Sequence, residues 1–70
     1  MDIDDIITNH ADQYPFIFGH SNQLDNLMGY WVFVQTYKYN AFYGQLAIGS
    51  KGNLAIRFYN QTSWTDWVFP

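Results

Sequence analysis

There is no cysteine and no glutamate in this 70-residue chain, and only three side chains, Lys38, Lys51 and Arg57, are fixed cations. Without cysteine there is no disulfide framework and no thiolate metal site, so the chain lacks the staples that small domains commonly use. That composition fits synthesis in a reducing cytoplasm. Six aspartates against three cations leave a net charge of −3. Three scattered cations cannot form the clustered basic footprint that phosphate-backbone recognition needs, which excludes nucleic acid as a partner. Long hydrophobic runs are missing too. The longest, Tyr30 to Val34, is far short of the ~20 residues that cross a bilayer. The acidic opening MDIDDIITNH contains no apolar secretory segment. No internal repeat, low-complexity tract or linker divides the chain, so residues 1–70 read as a single domain.

Aromatic residues are what the chain has in excess. Three Trp, six Tyr and six Phe make up 21% of it, and each ring side chain can bury about 150–250 Å². A domain of this length hides only about 60% of its unfolded surface. Some rings must therefore line a binding surface, or copies of the chain must share them. The crowding peaks at the carboxyl end, where RFYNQTSWTDWVFP places Phe58, Tyr59, Trp64, Trp67 and Phe69 among polar spacers.

The pattern predicts a β-rich α+β fold: a short N-terminal helical turn followed by an antiparallel meander of about four strands. Residues 2–9 suit one or two helical turns, with Asp2 as cap, Asp4 and Asp5 at the positive end of the dipole, and Ile3, Ile6 and Ile7 on one face. Phe16-Ile17-Phe18, closed by Gly19, reads as a short strand. The loop HSNQLDNLMG follows, then strands over Tyr30–Tyr37, Ala41–Gly49 and Leu54–Asn60, with turns at Tyr39-Asn40 and Ser50-Lys51-Gly52-Asn53. Alternation gives the last hairpin two faces. Phe42, Leu46, Ile48, Leu54, Ile56 and Phe58 form the more apolar one and are the expected core. Tyr43, Gln45, Ala47, Ala55, Arg57 and Tyr59 form the other. The Tyr30–Tyr37 strand is apolar on both sides, which predicts a central position, or cover on its second side from the N-terminal segment or a neighbouring chain.

Catalytic patterns are absent. Nucleophile-elbow, phosphate-loop and His-Glu metalloprotease motifs do not occur. Asp25 and Asp66 could pair across a cleft as glycosidase carboxylates do, but isolated loop aspartates ordinarily cap turns. His10, Asp12 and His20 are the only metal-ligand candidates, and their spacing is generic, so neither metal nor cofactor is expected. Asn60-Gln61-Thr62 matches a glycosylation acceptor and reads as a polar turn. The chain is expected to bind, not to catalyse.

A strand ending in glycine, a short turn, then LAIRFYNQTSWTDW from Leu54 to Trp67 resembles the knob domains of bacteriophage tail fibres, known as pyocin knobs. The similarity extends back through AFYGQLAIG and GYWVFVQTY to the opening DIDDIIT. Asp12-Gln13-Tyr14-Pro15 stands where the family usually has glycine, and Leu27-Met28 where it often has proline. The resemblance implies a module or tip of a homotrimeric fibre or receptor-binding protein on the virion, attaching phage to bacterial surface polysaccharide. A structural trimerisation knob with no ligand of its own is the alternative. Sugar binding calls for flat rings beside hydrogen-bonding groups. Two groups offer that combination: the face of Tyr43, Arg57 and Tyr59, and the closing segment of Asn60, Trp64, Asp66 and Trp67.

Overall fold

Asp2 adopts an extended backbone and its carboxylate accepts from the Asp4 amide, capping the first helix, α1 (Ile3–Asn9). In the computed structural model, which describes residues 2–70, there follow β1 (Phe16–Gly19), α2 (Asp25–Met28), β2 (Val32–Tyr39), β3 (Phe42–Gly49) and β4 (Leu54–Asn60). The four strands form one antiparallel sheet in the order β1-β2-β3-β4. The expected meander, its helical lead-in and both turns are present. Asn40, at the β2–β3 turn, takes the left-handed conformation with φ of 53°, which a short polar side chain tolerates.

The segment read as a loop, residues 20–29, contains α2, and its carboxyl end explains the Ser50-Lys51-Gly52-Asn53 turn. A short helix leaves its last carbonyls without helical partners. Here the Gly29 amide donates to Asp25, Lys51 Nζ to Asn26, Asn53 Nδ2 to Leu27, and the Lys51 amide to Met28. The two chains approach so closely that a Cβ at Gly49 would overlap Met28. Gly29, at φ 92°, faces Ser50 in the same way. Leu24 and Met28 are thereby fully buried.

The core lies on the other side of the sheet from the one expected. Beyond the Gly19, Val32 and Gly49 row, alternation defines three more rows on the helix-covered face. Ile17, Val34, Ala47 and Ala55 are cross-strand partners and form an apolar floor; Thr36, Gln45 and Arg57 form a polar row; Lys38, Tyr43 and Tyr59 form an outer, mostly aromatic row. Val34, Ala47 and Ala55 have no exposed surface, and Ile3, Ile7, Leu24, Met28 and Val32 pack with them. The opposite face carries Phe42, Ile48, Leu54, Ile56 and Phe58, which are exposed, and Leu46, which is half-buried. The reason is spacing. A helix as short as α1 must sit close to the sheet to bury Ile3 and Ile7, and only the alanine floor lets it do so. Larger side chains on the other face hold any partner farther away.

This inversion changes what substitutions cost. Ala55→Leu, under α1, is expected to destabilise the chain by about 1–3 kcal/mol through overpacking. Ile56→Ala, on the open face, is expected to cost only about 1 kcal/mol in dilute solution, since half the side chain already meets water. Denaturant melts of the two variants check the order. The reverse order would restore the large-residue face as the core.

Candidate functional site

Beyond Asn60 the chain doubles back along β4. Asn60 Oδ1 accepts from the Thr62 and Ser63 amides, closing a tight turn in which Gln61 holds φ at 81°. The tail then pairs with the edge of β4. Trp64 bridges Tyr59, the Thr65 amide donates to the Phe58 carbonyl, and Ile56 and Val68 exchange both backbone hydrogen bonds. Between the two bridges β4 advances three residues, Ile56 to Tyr59, while the tail advances four, Trp64 to Val68. The extra residue acts as a β-bulge, and it accounts for the two tryptophans. At a spacing of three, a regular strand sends them to opposite faces; with one residue extra, both land on the helix-covered side.

What they meet there is Arg57. Its Cζ lies 4.0 Å from the Trp64 ring centroid and 4.5 Å from that of Trp67. Arg57 Nε donates to Gln45 Oε1 at 2.6 Å, while Nη2 donates to the Ile7 carbonyl and to Thr8 Oγ1. Gln45 Nε2 donates to the same Ile7 carbonyl and to Thr36 Oγ1. Ile7 is in the last turn of α1, which has no basic residue of its own. The sheet therefore supplies the cation that complements the negative end of the helix. Burial lowers the Arg57 pKa from 12.5 to about 10, partly offset by the Asp4 carboxylate, so the guanidinium stays charged at neutral pH.

The seven residues expected to bind ligand thus divide. Tyr43, Tyr59 and Trp64 form one ring cluster, with centroids 5.3 to 6.2 Å apart, at the end of the sheet past α1. They open on a cleft of about 620 Å³. Arg57 lies beneath them, buried and held by three hydrogen bonds. Trp67 packs on the far side of Arg57 against the core and donates its ring N–H to Gln23. Asn60 is spent on the turn that holds one wall of the cleft, and Asp66 is exposed outside it.

The rest of the lining was not foreseen. Thr8, Asn9, Ala11 and Asp12 come from the end of α1 and the residues after it; Gln61, Thr62 and Ser63 come from the closing turn, and Ala41 from the β2–β3 turn. Their signal in the sequence is only a polar stretch after a helix, which becomes a wall when the Gln45–Arg57 pair docks the helix end. His10 and His20 are drawn apart instead, to Asp5 and Asp25, each at 3.5 Å. His20 also stacks on Tyr30. Among the described residues no group of three or more His, Cys, Asp or Glu is placed to hold a metal ion, and no helix is long and apolar enough to cross a membrane.

The chain matches no family model, no curated protein and no solved structure among those compared.

The two tryptophans should separate in their effects. Trp67→Ala removes core contacts and one side of the Arg57 stack, and is expected to cost about 2–4 kcal/mol, most of what a small domain has. Trp64→Phe keeps a ring over Arg57 and should leave the melting temperature within a few degrees of the parent. Arg57→Lys keeps the charge but loses the planar fork and should melt well below the parent. Thermal melts by circular dichroism measure all three. Equal melting of Arg57→Lys and parent would remove the guanidinium from the account.

Proposed function

We propose that the chain is a carbohydrate-recognition module of a phage tail fibre or receptor-binding protein, attaching the virion to polysaccharide on the bacterial surface without catalysis. The observation that carries this reading is the cleft at the sheet's end. Three rings form one wall, and hydroxyl, amide and carboxylate groups form the others. A pyranose has apolar C–H patches beside hydroxyls, so it needs flat rings for the first and directional partners for the second. Tyr43, Tyr59 and Trp64 offer the rings. Thr8, Asn9, Asp12, Thr62 and Ser63 offer donors and acceptors within the same cleft. Its volume, about 620 Å³, falls in the ~300–1,000 Å³ range of small-molecule sites.

The resemblance of the Leu54–Trp67 segment to tail-fibre knobs supports the same reading and supplies its setting, a homotrimer on the virion. Shallow single sites bind sugars weakly, and three copies on one fibre raise avidity without new contacts. The trimerisation-knob reading draws its support from a different place, the open apolar face of the sheet, and the two readings make separate demands on the molecule.

Binding to an array of bacterial surface oligosaccharides, followed by Trp fluorescence with the responding sugar, tests the proposal. Tyr43→Ala and Asp12→Asn are expected to keep the parent's circular dichroism and to weaken binding about tenfold or more, a loss of about 1.4 kcal/mol. Trp64 emission should shift on binding. Retention of parent-like binding by both variants would remove the cleft as the sugar site.

A further inference from the structure

Among the described residues, the sheet is covered on one side only. Both helices lie against the Val34–Ala47–Ala55 floor, and the molecule is just 15 Å thick along its shortest axis. A domain ordinarily sandwiches its apolar faces between layers. Here the second face, centred on Phe16, Phe18, Phe33, Ile48, Leu54 and Ile56, has no layer over it. Its rings already pack against one another: Phe18 is 4.5 Å from Phe33 and 5.5 Å from Trp31 between centroids, and Phe42 is 6.0 Å from Phe58. They are therefore ordered in the single chain and lose little freedom when covered. The tail extends the face, because Val68 bridges Ile56 beside it and is also exposed.

We infer that this face is where copies of the chain join, sheet against sheet. Two observations select a second copy over a different partner. The first is area. The phenylalanines on the face, with Ile48, Leu54 and Ile56, are 36–67% exposed, which at about 150–250 Å² per side chain amounts to on the order of 1,000 Å². A stable interface takes about 800 Å² from each partner, and a monomer rarely leaves more than a few hundred Å² of contiguous apolar surface open. The second is charge. No residue that β1 to β4 place on this face is ionisable except Tyr37 and Tyr39, and a phenol carries no charge at neutral pH, so a charged partner finds no counter-charge. An uncharged apolar surface is complementary to itself. Of its two amides, Asn60 closes the turn after β4, while Gln35 is exposed and lies on the rim of a groove of about 270 Å³ with Phe16, Phe33, Leu46 and Ile48. An amide both donates and accepts, so it can be satisfied by its own copy.

Joining copies through this face leaves the clefts outside. The cleft is built from the helix-covered side and the closing turn, so it stays open when the sheet faces meet. The inference deepens the assembly part of the proposed function, yet it rests on the face alone and fails independently of sugar binding.

Sedimentation equilibrium of the parent at concentrations on the order of 100 μM, well above a micromolar dissociation constant, reads the outcome. A mass two or three times the 8.3 kDa chain is expected. Gln35→Glu places a carboxylate in the middle of the face, exposed and harmless in the single chain but unpaired on association. It should lower the mass toward 8.3 kDa, weaken association about tenfold or more and leave circular dichroism unchanged. Gln35→Met should associate at least as well as the parent. A monomeric parent at that concentration would overturn the inference and leave the face to another segment or protein. Unaltered association of Gln35→Glu would overturn it too. If Gln35→Glu lost its fold, Ile48→Lys carries the same comparison.

Discussion

A single buried cation organises the molecule. Arg57 cannot be left unpaired inside a domain with so little stability to spare, because an uncompensated buried charge costs several kcal/mol. The chain meets that demand from three segments. β3 provides the Gln45 carbonyl oxygen, α1 provides the Ile7 backbone carbonyl and Thr8 hydroxyl, and the tail lays Trp64 and Trp67 against the guanidinium. The three segments are far apart in sequence, so satisfying one side chain fixes the helix, the hairpin and the tail relative to one another. Asp4 adds a second tie. Its carboxylate accepts from the Ser21 hydroxyl and the Asn22 amide, which holds the start of α1 to the loop before α2.

Seen this way, the choice of buried face follows from polar demands as much as from hydrophobic ones. Period-two alternation shows that a strand has two faces and which residues share each. It does not show which face is covered. Weighing apolar bulk selects Leu46, Ile48, Leu54, Ile56 and Phe58, and that weighing assumes the chain is stable alone. At its centre the covered face of the β3–β4 hairpin instead holds two alanines, a glutamine and an arginine, a poor core by transfer energy. It works because the alanines admit α1 at close range and the polar pair satisfies the helix's carboxyl end. The strands in their order, the two turns, the meander and the Asp2 cap were readable, since each rests on local chemistry within a few residues; β2 runs from Val32 to Tyr39, two residues later than Tyr30–Tyr37. α2 was not. Its four residues, Asp25-Asn26-Leu27-Met28, have loop composition, and their helical state depends on carbonyl partners about 25 residues away.

The candidate site was half legible for the same reason. Tyr43, Tyr59 and Trp64 could be named from the density of rings at the carboxyl end. That Trp64 and Trp67 share a face could not, because it depends on one extra residue in a pairing that alternation alone does not register. Thr8, Asn9 and Asp12 could not be named either. They reach the cleft only through the hydrogen bonds that Gln45 and Arg57 make to Ile7, contacts spanning 38 and 50 residues of sequence. Sequence distance, not residue type, hid them.

The crowding of rings near the terminus now has a physical reason with two parts. The tail is too short to form a strand of its own layer. It holds on through two bridges and through stacking on a charge, and stacking needs large flat surfaces. Trp67 is spent wholly on that attachment. Trp64 is shared, with one surface on Arg57 and the other part of the ring wall facing the cleft. A residue shared between scaffold and site couples the two. Anything that draws the Trp64 ring toward a ligand alters its contact with Arg57, and through Arg57 the docking of α1, whose end forms the opposite wall. The cleft is therefore not a recess in a finished scaffold. Its two walls are joined beneath by the same guanidinium, and the geometry of one depends on the other.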